Sequence, residues 1–488
     1  MKNWNKLSIL LLPAFLVSCS NRSTNNSNNN KDDGDFIIKE NVEIDFLCMS
    51  DRKYNDSLKN IIEDFKNVEP NIKVNLSNPL GSGNYANLEN IVVAGFFKEK
   101  YPDIVQCYPD NVVKYISRGY AVNIDKYLEN QSYGLTDDDK NDYIKSFLEE
   151  GKQYTTSGTF SLPFCKSTEL MYYNADALLG VNLSSIDSTI NNGEPLNESY
   201  LDNLTWEELF NKLCPALKIY NDSLSASEKI LVIDEQNDSA FFTYDSDENF
   251  FITLSDQYGY GYTSINEQGK GSIDFDNPGM KSCMKMLNSA KKSGFLQTKI
   301  TYDDYVSELF TKRKCLFTVS STAGLSYNYN SSNPFKIGVA KLPHADGKDY
   351  SCINQGPSVC ILDHKDENRS LASYLFWKHL TNKANSSSWA LDTGYMGIRN
   401  SSYQSEEYIA AINDKSEDLY KKAVADNLKK IVEVSSTTFN TSVFRGSSNA
   451  RKNVGLLLSD CLLSNDIDNE IDDLFAYYSN DAKQYLDN

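Results

Sequence analysis

The sequence predicts an α/β protein built as two lobes, and three observations carry that prediction. At 488 residues the chain is far longer than one domain of about 100–200 residues, so two lobes are expected. Its folded body opens on a β-α-β pattern, which pairs strands in parallel through a right-handed crossover. Short apolar runs then alternate with helical periodicities until the tail, which turns helical and polar. The composition fits a large packed core: 40% of residues are hydrophobic, with 31 Tyr and 23 Phe, unlike a disordered chain.

At the start, Lys2 and Lys6 precede an apolar run over 7–17. The run is shorter than the roughly 20 residues of a spanning helix and has the layout of a secretory signal. It ends Leu16-Val17-Ser18-Cys19. A small residue directly before a lone Cys at that place resembles the lipobox of bacterial lipoproteins. The resemblance implies a signal peptide over 1–18 and lipidation of Cys19, with 19–40 as a flexible linker. Residues 20–35 are rich in Asn and Ser with almost nothing apolar, as a tether requires. No later segment holds the ~18 consecutive apolar residues that span a bilayer.

The body begins with alternation of Val42, Ile44 and Phe46, a strand, followed by Leu58, Ile61, Ile62 and Phe65 at helical spacing. That helix must end before Pro70, and Ile72, Val74 and Leu76 alternate as the second strand. A Gly81–Gly83 turn delivers Tyr85 ahead of a helix over 88–98. Residues 101–106 read as turn and strand, with Tyr108 and Asp110 just beyond the strand's carboxyl end. Ligands of open α/β sheets bind at such ends.

The pivotal stretch is 161–176. Pro163 turns the chain ahead of the apolar run 170–173, a buried strand, and Asn174 and Asp176 offer helix caps. Lys166, Ser167 and Thr168 stand where the chain passes from one half to the other, the expected place for a cleft. Thr205 and Glu208 mark a helix start, and Asn277-Pro278 opens a helix that Gly294 ends. The segments 182–203 and 223–247 are loop-rich. A strand over 315–319 feeds the small series Ser320-Ser321-Thr322-Ala323-Gly324, whose amides would suit an anion at a helix N-terminus. Strands over 337–342 and 359–362 flank Gly356-Pro357-Ser358. A helix covers 371–380, and a turn over 394–397 presents Tyr395. The helical tail breaks at Phe444-Arg445-Gly446. Arg445 reads either as a phosphate ligand, since guanidinium binds phosphate bidentately, or as an exposed loop arginine.

Several function classes are disfavoured. The formal charge of −19 opposes nucleic-acid binding, which needs a basic stripe. Only His344, His364 and His379 exist, with no HExxH spacing and no Gly-x-Ser-x-Gly elbow, so neither a zinc hydrolase nor a serine hydrolase is indicated. The nine cysteines after Cys19 show no CxxC and read as small buried hydrophobes, with no bridge assigned. A glycoside hydrolase with paired carboxylates and a surface adhesin remain as alternatives, although among 67 acidic residues some pair always falls within ~5–10 Å.

Taken together and in order, several pieces resemble the extracellular solute-binding proteins of bacterial carbohydrate ABC importers, and among them those that take glycerol 3-phosphate. These are Gly83-Asn84-Tyr85, Pro102-Asp103-Ile104, Leu162-Pro163-Phe164 through Asn174, Thr205 to Glu208, and Phe275 to Pro278. The series continues with Cys315 to Leu325, Gly356-Pro357-Ser358, Trp389 with Gly394-Tyr395, and Arg445. The resemblance implies a two-lobed, type II periplasmic-binding-protein-like fold closing about a hinge. Lobes are expected at 41–162 plus 318–362 and at 163–317 plus 363–488. It implies ligand contacts at Tyr85, Ser167, Ser321, Gly356, Tyr395 and Arg445. The family's acidic position falls on Pro109, so Asp110 next to it is added to the set. The implied protein is a monomer that catalyses nothing and uses no cofactor or metal. It takes up a sugar or glycerol phosphate outside the cytoplasm, held at the membrane by lipid, and delivers it to an ABC permease.

Overall fold

The computed structural model describes residues 37–49, 52–77, 85–232, 239–267 and 270–486, without the side chains of 52, 53 and 85–87. The expected signal peptide and Cys19 lie outside the described residues, as does most of the linker. No described helix is long and apolar enough to cross a membrane.

The opening β-α-β unit forms as its periodicity requires. Strand β1 (Val42–Leu47) leads to helix α1 (Arg52–Val68) and to β2 (Ile72–Ser77), parallel to β1 in the register Ile44 to Val74. The helical stripe Leu58, Ile61, Ile62 and Phe65 is buried. Helix α2 (Tyr85–Phe96), β3 (Ile104–Cys107) and α3 (Pro109–Ser117) follow. Pro109 sits in the first turn of α3, where its missing N–H leaves no helical bond unmade. The chain then makes the short β4 (Leu162–Pro163) and enters β5 (Glu169–Asn174), buried along its whole length.

Beyond the crossing come β6 (Ala240–Tyr244), α4 (Asp247–Tyr258), α5 (Pro278–Lys292), β7 (Leu296–Thr298), β8 (Cys315–Ser321) and β9 (Ile337–Ala340). The chain returns with β10 (Ser358–Ile361), α6 (Glu367–Leu380) and α7 (Lys383–Thr393). It closes with α8 (Leu419–Val434), α9 (Ser447–Leu463) and α10 (Ile467–Lys483). The caps read from sequence form: Thr205 Oγ1 accepts from the Glu208 amide at 3.1 Å, and Asn277 Oδ1 from the Met280 amide at 2.9 Å.

Two five-stranded sheets result, ordered β2-β1-β3-β10-β4 and β9-β5-β8-β6-β7. Each is the centre of one lobe. The lobe boundaries differ from those expected. Strands β8 and β9 pair with β5, so 318–340 belongs to the second sheet, not the first lobe. Helices α6 and α7 return to the first lobe, where they pack on β1 and α1. Phe376 meets Phe46 edge-on, and Arg369 forks onto Asp103 with both bonds at 2.6 Å. Helix α8 packs on β9, and α9 on α4 and α5, so the tail stands with the second sheet.

Three strands of chain run side by side between the lobes. Ser167 and Gln355 exchange backbone hydrogen bonds at 2.9 Å, Cys165 N–H donates to the Pro357 carbonyl at 3.0 Å, and Met396 N–H donates to the Lys166 carbonyl at 2.7 Å. Gly356 makes this possible. Its φ is +90°, and a Cβ there would stand 2.0 Å from the Cys165 carbonyl oxygen, a position no other residue type can occupy without shifting the ladder. The Lys166 side chain is fully buried beneath the crossing. Its ammonium pairs with Glu150 and reaches the Gly356 carbonyl at 3.3 Å.

Candidate functional site

The crossing segments form the floor of a cleft of about 640 Å³ between the lobes. The first lobe contributes Glu89 from α2, the Tyr108–Asn111 corner at the start of α3, and Glu150; the crossing gives Asn354, Gln355 and Gly356. The second lobe contributes Glu169 and Ser321 from strand ends, Asp245 to Asn249 from the β6–α4 turn, Lys299, and Arg451 with Lys452 from α9. Carboxyl ends of β3, β6 and β8 thus face the cleft together with the amino end of the antiparallel β5, and polar side chains and helix starts converge there.

A hydrogen-bond network fixes the centre of the cleft. Asn249 Nδ2 donates to Glu169 Oε1 and to Gln355 Oε1, each at 2.7 Å, while its Oδ1 accepts from Arg451. Tyr244 Oη donates to the other oxygen of Glu169 at 2.5 Å. Asn249 thus ties the second lobe to the crossing. Asp247 accepts from Thr298 Oγ1 at 2.5 Å and from the Ile300 amide at 3.0 Å. Asp110 accepts from Ser447 Oγ.

Burial dominates the electrostatics, because removing a carboxylate from water disfavours its charge. It pushes the Glu169 carboxyl up to about 7 despite the bonds from Tyr244 and Asn249. It pushes Asp245 and Asp247 each up to about 6, with Lys299 offsetting part of the effect at Asp245. Asp110 is also raised by burial. Burial takes the Tyr108 phenol up to about 12, so it stays neutral. At Arg451 burial lowers the affinity for a proton, but Glu248, Tyr262 and Asp110 outweigh it and raise the guanidinium overall. Among the described residues, seven carboxylates line the cleft against three cationic side chains, Lys299, Arg451 and Lys452.

The structure distributes the residues picked from the sequence. Asp110, Ser321 and Gly356 line the cleft. Ser167 does not line it: it is buried in the crossing ladder, directly opposite Gln355. Tyr395 follows the left-handed Gly394 (φ +77°) and leans on Tyr54, with ring centroids 6.3 Å apart, on a turn next to the crossing and away from the cleft wall. Tyr85 opens α2, and its side chain lies outside the described residues. Arg445 lines a neighbouring pocket of about 740 Å³ with Lys114, Arg118 and Tyr485, and Asp110 and Ser448 face both spaces. The amides after Ser321 are not open to an anion. Thr322 N–H donates to the Thr168 carbonyl, Ala323 N–H to Ser321 Oγ, and the segment winds as a short 3-10 helix.

Most of the second wall escaped the sequence reading. Asp245 to Asn249 fall at the end of a passage that reads as loop, yet Ser246 followed by Asp247 and Glu248 directly after an apolar run is a helix start at a strand end. Nothing in the sequence separates Arg451, inside α9, from any other helical arginine. No described group of three His, Cys, Asp or Glu side chains is placed to hold a metal ion, and the nine described cysteines are buried free thiols.

Comparison with known proteins gives a consistent picture. The family profile described as bacterial extracellular solute-binding protein matches residues 60–414. The sn-glycerol-3-phosphate-binding periplasmic protein UgpB of Yersinia enterocolitica is 23% identical over 332 residues, 67% of this chain and 68% of that protein. Among solved structures, UgpB from Mycobacterium tuberculosis in complex with glycerophosphocholine superposes with a TM-score of 0.68 at 16% identity, covering 91% of this chain and 98% of that one. The cyclic α-maltosyl-1,6-maltose binding protein of Arthrobacter globiformis gives 0.66 at 12% identity, covering 91% and 98%. These likenesses carry the two-lobed type II fold.

Proposed function

The chain belongs to the bacterial extracellular solute-binding proteins, and from that premise we propose that it captures a carbohydrate or a glycerol-3-phosphate-type solute in the interlobe cleft and passes it to an ABC permease. The observation that carries this reading is the cleft itself. Its walls come from both lobes, its floor is the hydrogen-bonded crossing, and Asn249 and Gln355 meet across it. A solute touching both walls binds the closed arrangement better than the open one, and only such a differential shifts a hinge equilibrium. The buried hydrogen-bonding groups suit a hydroxylated ligand, with Tyr108 as an aromatic face carrying a polar tip. The protein binds and releases without catalysis. The N-terminal residues 1–19 support export and attachment by lipid at Cys19, with the body acting as a monomer outside the cytoplasm.

The test is a thermal-shift panel of sn-glycerol 3-phosphate, glycerophosphocholine, maltotriose and larger oligosaccharides. A true ligand at 100 times its Kd adds about 2.7 kcal/mol to folding stability. Absence of a shift with every member contradicts the reading. Turnover of a chromogenic glycoside by the purified protein would restore the hydrolase alternative.

A further inference from the structure

Resting on the reading of the cleft as a hinged solute site, we propose that residues 438–447 form a latch. Val443, seated in the core of the first lobe, and the Ser447–Asp110 bond hold the lobes together and let go when the cleft opens.

The segment joins two helices of the second lobe, α8 and α9, yet it passes through the first. Thr438 and Phe439 lie parallel to Cys352 and Ile353, with the Asn354 amide donating to the Phe439 carbonyl at 2.7 Å. Asn440 Nδ2 then donates to the Ser146 carbonyl of the first lobe at 3.0 Å. Further on, Val443 is 2% exposed in an apolar cluster whose other buried members, Leu47, Val92, Val105 and Cys360 among them, fall at 47–160 or 360–362 and belong to the first lobe. Phe444, the next residue, faces the other way. A Cβ on Gly271 would stand 2.1 Å from its ring, and the strand carrying Gly271 packs on α10 of the second lobe. Beyond the left-handed Gly446 (φ +99°), Ser447 opens α9, accepts from Phe444 N–H at 3.4 Å and donates to Asp110 at the start of α3.

Consecutive residues therefore sit in opposite lobes. Their Cα atoms are about 3.8 Å apart, so lobes that part by more than this slack must unseat one of them. Val443 is the one to go, because it has less apolar area to expose than Phe444 and its segment is rooted at both ends in the second lobe. Its seat lies past the residues that pair beside the crossing, so it resists parting instead of only pivoting. Ser447 stands one turn before Arg451, which donates to Asn249 in the cleft wall. A solute settling on that wall acts on the helix that carries the clasp.

The experiment reads the ligand-free full chain by small-angle X-ray scattering, with Val443→Thr and Ser447→Ala as separate variants. Val443→Thr keeps the side chain's shape and puts a hydroxyl among apolar atoms; Ser447→Ala removes the bond to Asp110. Each change lowers the closed-to-open ratio about tenfold, so the radius of gyration rises while helix content by circular dichroism stays at the value of the unsubstituted protein. sn-Glycerol 3-phosphate or maltotriose, whichever stabilises the unsubstituted protein, binds the variants about tenfold more weakly and at saturation restores the smaller radius. A role for Val443 as a solute contact alone would leave the ligand-free radius unmoved. Expansion of either folded variant upholds the latch. An unchanged radius in both overturns it and makes the segment a passive pivot, with solute capture standing; if Val443→Thr fails to fold, Ser447→Ala decides. Because the radius is read without solute, failure of every solute probe to bind removes the reading of the cleft and is told apart from failure of the latch.

Discussion

The cleft and the pocket beside it share Asp110 and Ser448 but are built on opposite plans. In the cleft most charged groups are acidic, and the central ones are buried and held: Glu169 by Tyr244 and Asn249, Asp247 by Thr298 and the Ile300 amide. In the neighbouring pocket the charged groups are mostly basic and exposed. Arg118 and Arg445 stand in solvent, and Lys114 is tied to Glu89 at 2.5 Å. Side chains fixed by buried hydrogen bonds before a ligand arrives need little ordering on binding. On the proposed reading, the cleft selects the solute and the basic pocket draws charge toward its mouth. It also shows why contacts implied by resemblance fall in different places: Ser321 and Gly356 in the cleft, Arg445 in the pocket, Ser167 and Tyr395 near the crossing.

The comparison can be broken hardest at the floor. Lys166→Met leaves Glu150 buried without its cation, and a loss of about 3–5 kcal/mol is expected in chemical denaturation. Adding Glu150→Gln restores most of it. Gly356→Ala forces a Cβ onto the Cys165 carbonyl in a left-handed backbone, with a loss on the order of 3 kcal/mol and weakened binding of any solute, read by melting and titration.

The acidic plan itself has a pH signature. Glu169 titrates near 7 in the fold against an ordinary 4.5, so the folded state holds a proton that the unfolded state has released. The associated stability is fully present below pH 4.5 and lost as pH rises through 7. The ligand-free protein should therefore lose on the order of 2 kcal/mol between pH 5 and 8, with Asp245 and Asp247 acting in the same sense. Glu169→Gln should flatten much of this slope. A melting temperature that rises over that interval contradicts the acidic plan. The smallest effect is expected at Arg445. Arg445→Ala changes stability by within about 0.5 kcal/mol and leaves solute binding intact; loss of all binding would instead move the site into the basic pocket.

Much of the fold was legible because periodicity reports burial directly. The stripe Leu58-Ile61-Ile62-Phe65 and the alternation in β1 and β2 produce the unit they predict. Lobe membership was not legible, since an apolar run such as Cys315–Ser321 looks the same whichever sheet it joins. Its partner is chosen by β5, distant in sequence. In the site, Gly356 enters through the family resemblance, but Asn249 and Arg451 matter through neighbours from other elements. Ser167 was well placed in the chain and wrongly placed in space. The crossing it marks is real, and its own polar groups are enclosed by that crossing.

The most direct measurement is a crystal structure of the protein with the solute that stabilises it most. Solute density is expected between Tyr108 and the Asp245–Asn249 turn, resting on Gln355 and Gly356. Solute held only beside Arg445, or on an outer face of either lobe with the cleft left open, would contradict capture between the lobes.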